Sequence, residues 1–314
     1  MHIKKLQNNI MKNILIGHDD IFFNLIDLYK SNNLPSKILI NGPDGIGKRI
    51  LSKHLLNFIL SINEEYSYNL EKLEINPENR SFKLVENNSH PNVFRINKKE
   101  DKKNIEISQI REMIKFQNCS SFNNNMRFVL IENSQFLNLN SINALLKCIE
   151  EPNNNLTYII THNSNYKLLE TLKSRCIEFK INLKHKNSEL IVNNYFSNNL
   201  YKEISQDFKN YYNNPSFLIS YIDFTNNEDL DFSSLKIEDL LIKIFNNNNL
   251  LKNNFIKNNL NLFIELFFYK NINVHKKNLF RAKEYFLNKL SNVNKYNLDK
   301  ETFFLEFGQL LAYE

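Results

Sequence analysis

Gly42-Pro43-Asp44-Gly45-Ile46-Gly47-Lys48 constrains this chain more than any other stretch. It matches G-x-x-x-x-G-K. It follows the apolar run Lys37-Ile38-Leu39-Ile40, and the apolar residues after it (Ile50, Leu51, Leu55, Leu56, Ile59) recur at helical spacing. A strand, a glycine turn and a helix in that order make a cradle. Backbone N–H groups turn inward toward phosphate, and the positive end of the helix dipole lies behind them. Three of the chain's five glycines fall inside these seven residues, which favours a required backbone conformation over a chance turn. Lys48 then reaches toward the β- and γ-phosphates. Arg49 departs from the motif: Ser or Thr at that position binds Mg²⁺, and a long cation cannot ligate a metal. Gly42 to Arg49 is the candidate nucleotide-binding segment, able to take ATP or ADP and requiring neither.

The surrounding pattern alternates. Short apolar strands are expected at Asn92 to Ile96, Arg127 to Ile131, Thr157 to Thr161 and Ile177 to Phe179. Helical spacing separates them, from Ile46 to Leu60, from Ile107 to Phe116 and along Leu139, Ile142, Leu145, Leu146 and Ile149, with Pro152 as a stop. Apolar strands joined by helices form a parallel sheet buried on both faces, with right-handed crossovers. Residues 61–90 are polar and read as an insertion or long loop. After Leu183 the strand pattern ends. Residues 188–222 read as a small helical unit, Thr225 to Asp231 as a linker, and Leu235 onward as helices.

Composition excludes several classes. No stretch approaches the ~20 apolar residues of a membrane span, and Met1 to Gln7 has no apolar leader. A soluble cytoplasmic protein is expected, with no membrane partner. Met11 offers a second candidate start. Cys119, Cys148 and Cys176 are widely spaced and support neither a disulfide framework nor a zinc site. The net charge of +6 is spread along the chain, permitting nucleic-acid contact without requiring it.

The third strand ends Leu130-Ile131-Glu132-Asn133. A hydrolysing P-loop protein has an Asp there for Mg²⁺, and in the AAA+ proteins a following acid that activates water. Glu132 is one methylene longer, and the amide of Asn133 takes no proton at neutral pH. With Arg49, two catalytic positions are vacant. Nucleotide binding without turnover is the expectation, and no metal is expected.

An ordered set of segments resembles the clamp-loader branch of the AAA+ family. It comprises Gly42 to Lys48, His90-Pro91-Asn92-Val93, Ile107-Ser108-Gln109-Ile110-Arg111-Glu112, Asn143-Ala144-Leu145-Leu146-Lys147-Cys148-Ile149-Glu150-Glu151-Pro152, Thr157 to Thr161 with Thr161 sensor-like, and Ser174-Arg175-Cys176. The helix ending Glu150-Glu151-Pro152 is the most specific of these. The likeness is dense over roughly residues 15–180. It implies an α/β P-loop (AAA+) parallel-sheet domain at 1–182, a small helical lid domain at 183–225 and an all-helical collar domain at 226–314 that joins a five-subunit ring. It also implies that Arg175 is an arginine finger acting in trans on a neighbour's ATP, where a guanidinium stabilises γ-phosphate charge. No catalytic residue is expected in cis.

Within the branch, the lost catalytic residues resemble delta-prime subunits rather than ATP-hydrolysing gamma/tau subunits. Gamma/tau-like ATPases and a delta-like subunit are then the implied partners, with the sliding clamp and primer–template DNA reached through the assembly. The branch often carries a zinc-binding cysteine cluster after the P-loop helix, but residues 61–90 contain no Cys, and no zinc is expected. Asn213-Asn214-Pro215-Ser216-Phe217 resembles the lid segment that bears a phosphate-sensing Arg. Phe217 cannot sense phosphate and is expected in the lid core. Two other readings remain at this point: a divergent gamma-like ATPase, and a stand-alone nucleotide-binding module.

Overall fold

The computed structural model describes residues 13–99, 102–119, 126–150, 155–196, 198–211, 214–271, 278–296 and 300–312. Its sheet has five strands: β1 Lys37–Gly42, β2 Val93–Ile96, β3 Arg127–Ile131, β4 Leu156–Asn163 and β5 Ile177–Lys180. They lie in the order β2-β3-β4-β1-β5, and every pairing is parallel. The α/β parallel-sheet architecture expected for this half is thus present.

Successive side chains on a strand point to opposite faces, so a sheet covered on both sides needs apolar residues at every position. Ile38, Ile40, Phe128, Leu130 and Ile159 enter one core. Their neighbours Leu39, Val129, Ile131, Tyr158 and Ile160 enter the other. Helices α1 (Asp19–Lys30) and α2 (Lys48–Leu60) cover the first face through Phe22, Leu25, Leu51 and Leu55.

Residues 61–90 are not the irregular loop that their polarity suggested. They contain helix α3 (Arg80–Glu86) and bury Tyr68 and Ile75. Side chains bonded to backbone hold the segment together. Asn79 caps α3 by accepting from the Phe82 amide at 2.7 Å, and donates to Glu64 at 2.6 Å and to the Tyr66 carbonyl at 2.8 Å. Ser81 also donates to Glu64, at 2.6 Å. His54 shares a hydrogen bond with the Tyr68 hydroxyl at 2.7 Å.

Helices α4 (Ile107–Asn118) and α5 (Leu139–Glu150) cover the second face with Ile110, Met113, Leu145 and Ile149. A single turn, α6 (Glu170–Lys173), precedes β5, and α7 (His185–Phe196) follows it.

The chain divides into two compact units, Met1–Tyr195 and Phe196–Glu314. The second unit contains α8 (Gln206–Tyr211), α9 (Pro215–Asn227), α10 (Ile237–Asn246), α11 (Asn248–Lys252), α12 (Asn254–Asn271), α13 (Asn278–Tyr296) and α14 (Lys300–Ala312). Thr225, expected to open a linker, is buried inside α9. Phe217 packs in an aromatic core, with ring centroids 5.8 Å from Phe255 and 6.2 Å from Phe263. That core joins α9 to α12. Leu240, Leu241 and Ile244 of α10 and Phe263, Ile264 and Phe267 of α12 are fully buried within the unit. Among the described residues, no helix is long and apolar enough to cross a membrane.

Burial holds His54 neutral and pushes its pKa down to about 3, with Lys53 adding to the effect. A folded-state value below the unfolded one means that the stabilisation is present above about pH 6.5 and is lost as pH falls toward 3. The melting temperature should therefore drop on acidification, with this one group contributing about 1.4 kcal/mol per pH unit inside that window. His54→Gln keeps a polar partner for Tyr68 but does not titrate. Its melting temperature, measured from pH 7 to pH 4, should show a shallower slope than the parent's.

Candidate functional site

The C-terminal ends of β1, β3 and β4 carry the site. β1 ends at Gly42, whose added Cβ would lie 2.5 Å from the Ile181 carbonyl oxygen, so only glycine fits. Gly45 and Gly47 have φ of 69° and 100°, which rotate the loop into α2. Gly45's amide is turned back to the Asp44 carboxylate at 3.0 Å. The helix begins at Lys48, two residues later than the apolar spacing suggested, because Gly47 is left-handed.

Lys48 is buried, and its ammonium donates to the loop's own carbonyls, to Gly42 at 2.8 Å and to Pro43. Burial lowers its pKa, and Asp44 partly offsets the shift. His18 holds the loop from the other side, its Nε2 lying 2.6 Å from the Ile46 carbonyl. Burial keeps His18 below the usual histidine range.

Opposite the loop stands Glu132, its side chain only 5% exposed. Arg95 grips it bidentately, Nε to Oε1 at 3.0 Å and Nη2 to Oε2 at 3.0 Å. Arg49, from the first turn of α2, adds an ion pair to Oε1 at 3.1 Å. The strand pairing explains Arg95: β2 runs beside β3 with Ile96 opposite Ile131, so Arg95 reaches Glu132 across one strand. Asn133 follows with φ 59° and ψ 61°, a left-handed conformation that Asn tolerates. Its amide donates to Thr161 Oγ1 at 2.9 Å. Ser134 bonds His162 at 2.9 Å, and Gln135 accepts from the Asn163 amide at 3.1 Å, so β3 and β4 are joined by polar contacts at this end.

The P-loop family implies Mg²⁺ here, and the residues do not fit it. Position 49 supplies a guanidinium instead of a hydroxyl, and both Glu132 oxygens already accept from arginines. Magnesium demands close octahedral oxygen ligation.

Arg175 belongs to a second cluster. Its Nε donates to Glu150 Oε1 at 2.7 Å, Nη2 pairs with the same oxygen, and Nη1 donates to the Thr171 carbonyl at 3.0 Å. Ser174 caps the same turn through the Thr171 carbonyl at 3.2 Å. None of these partners is a phosphate-loop residue. Burial pushes the Cys176 thiol up to about 11, which leaves it unreactive at neutral pH. Glu151 and Pro152 lie outside the described residues.

Two site residues escaped the sequence reading. Arg95 could have been found, because a lone cation within a short apolar strand is expected to need a carboxylate. His18 gave no signal, since its bond depends on where Gly17 turns the chain before α1.

The family model described as DNA polymerase III, delta subunit, matches residues 17–185. The chain belongs to this family. The match takes in the whole phosphate loop, Glu132, Asn133 and the Ser174-Arg175-Cys176 turn. Family membership agrees with the delta-prime-like recognition made from the ordered motifs.

The delta-prime subunit of DNA polymerase III from Pseudomonas aeruginosa is 30% identical over 140 residues, covering 45% of this chain and 41% of that one. Its counterpart from Buchnera aphidicola subsp. Baizongia pistaciae is 28% identical over 146 residues, covering 45% and 42%. The chain thus matches less than half the length of these relatives. A DNA polymerase III gamma subunit-related structure from Thermotoga maritima aligns over 92% of this chain and 97% of that one, at 18% identity and a TM-score of 0.49.

Removing one partner of a buried ion pair strands the other. Glu132→Ala leaves the nearly buried Arg95 without its carboxylate, at a cost of about 3–5 kcal/mol. The Arg49 side chain is 59% exposed, so Arg49→Ala should cost under about 1 kcal/mol. Urea denaturation followed by circular dichroism should separate the two variants in that order. Equal losses would mean that Arg95 does not depend on Glu132.

Proposed function

We propose that this chain is a delta-prime-like subunit of a bacterial replicative clamp loader, and that it assembles the ring without hydrolysing ATP. The observation that carries the reading is the commitment of Glu132 to Arg49 and Arg95, followed by Asn133. A hydrolytic site needs a carboxylate free to hold metal and an acid free to polarise water. Neither is present at the end of β3. The loop keeps its three glycines and Lys48, so ATP or ADP binding is compatible with this reading, and turnover is not.

The chain's contribution to chemistry is then made in trans. Arg175 would enter the ATP site of a neighbouring gamma/tau-like subunit and stabilise charge on the γ-phosphate, with its guanidinium already set by Glu150 and the Thr171 carbonyl. The Arg175 and Glu150 side chains are 36% and 50% exposed. An exposed pair of this kind contributes about 0–1 kcal/mol, which a neighbour's triphosphate can outbid. A delta-like subunit would complete the ring. The sliding clamp and primed DNA would be engaged by the assembly, in the cytoplasm.

Reconstitution tests the reading. The purified chain alone should show no ATP turnover. A mixture with gamma/tau-like and delta-like subunits, clamp and primed DNA should show turnover that requires this chain. Arg175→Ala should lower turnover at the site it serves by on the order of 10³-fold, while Arg175→Lys recovers little because an ammonium lacks the bidentate fork. Robust turnover by the chain alone would favour a divergent gamma-like ATPase, and unchanged turnover with Arg175→Ala would remove the trans role.

A further inference from the structure

Glu132 is more than a weakened catalytic acid. Four contacts converge on its carboxylate: Arg49 Nε to Oε1 at 3.1 Å, Arg95 Nε to Oε1 at 3.0 Å, and Arg95 Nη2 to Oε1 at 2.9 Å and to Oε2 at 3.0 Å. The two arginines come from different elements, α2 and β2, and meet at the end of β3 beside the phosphate loop.

We propose that the Arg49–Glu132–Arg95 triad is a built-in replacement for the divalent cation, so that this phosphate loop excludes Mg²⁺ and any nucleoside diphosphate or triphosphate it takes is bound without metal. The inference rests on reading residues 42–49 as a phosphate loop and deepens the non-hydrolysing role.

Charge and geometry both support it. Two guanidinium groups bring the positive charge of one divalent cation to the same carboxylate. A metal ion that displaces the exposed Arg49 must therefore face the largely buried guanidinium of Arg95 at close range, beside a carboxylate that is itself only 5% exposed, where like charges repel more strongly than in water. It also finds no hydroxyl at position 49 to complete its shell.

The two arginines have different roles. Arg95 has only 11% of its side chain exposed and is locked by the β2–β3 register. It is the fixed half of the substitute. Arg49 is 59% exposed and sits one residue after Lys48 in the first turn of α2. It is the half able to leave Glu132 for an incoming phosphate, where it supplies the neutralisation that a metal otherwise gives.

Mn²⁺ is the probe, read on the full chain by loss of the free-ion electron paramagnetic resonance signal. The parent chain should take up no Mn²⁺, with ADP present or absent, beyond what ADP alone binds. Arg49→Thr/Arg95→Leu, which frees both oxygens and restores a hydroxyl, should take up about one Mn²⁺ in the presence of ADP. If Arg95→Leu does not fold, Arg49→Thr/Arg95→Gln keeps a polar neighbour for Glu132 while removing both positive charges, and it too should gain uptake.

Stoichiometric uptake by the parent chain overturns the proposal, and so does a folded variant of either kind that takes up none. Mn²⁺ uptake by the free chain reports on the triad alone. Turnover in the reconstituted loader reports on Arg175, so the two readings can fail separately.

Discussion

A parallel sheet buried on both faces can place functional side chains only at its strand ends, because every interior position is needed for packing. All five residues of β3 and all eight of β4 are buried. Polar groups therefore collect where β1, β3 and β4 run out: Lys48 and the loop, Glu132 with its arginines, and the Thr161, His162 and Asn163 contacts to residues 133–135. Crossover helices can cover the two faces, but they leave this edge to the loops. The position of the site is thus a consequence of how the sheet buries itself, and the glycines only decide how closely the backbone can turn there.

Much of this was legible in the chain. Lys37 to Ile40, Arg127 to Ile131 and Thr157 to Thr161 are nearly continuous apolar runs, and such runs allow few other structures between turn signals. The loop was legible because glycine is scarce elsewhere. Residues 61–90 were not, since they fold through Asn79, Ser81 and Glu64 bonding to each other and to backbone, and such bonds leave no periodic apolar trace. Thr225 was read as opening a linker for a related reason. Asn-rich stretches look like linkers, yet Thr225 lies inside a helix, and α9 shares an aromatic core with α12. The partners of Glu132 needed three dimensions: position 49 showed a missing metal ligand, and only the β2–β3 register showed what took its place.

Two arginine–carboxylate contacts in the same unit make a useful contrast. Around Glu132 the carboxylate and Arg95 are largely withdrawn from water and the Arg95 grip is bidentate, with only Arg49 exposed. Around Glu150 the charges are half-exposed, so solvent and salt compete with the pair. The first arrangement suits a permanent brace. The second suits a side chain that is to be handed to another molecule, the role proposed for Arg175.

The nearly buried guanidinium of Arg95 also bears on how such a chain can change over generations. Exchanging Arg49 for Thr leaves Glu132 still held from the β2 side. Exchanging Glu132 for a shorter acid loosens a brace that Arg95 depends on, and removing Arg95 first leaves Glu132 held only by an exposed arginine. An acid at position 133 changes none of this. The substitutions that touch the brace cost stability, because each leaves a largely buried charge without its partner. On the non-hydrolysing role proposed here, the contact that braces the site also opposes any single substitution that would open it.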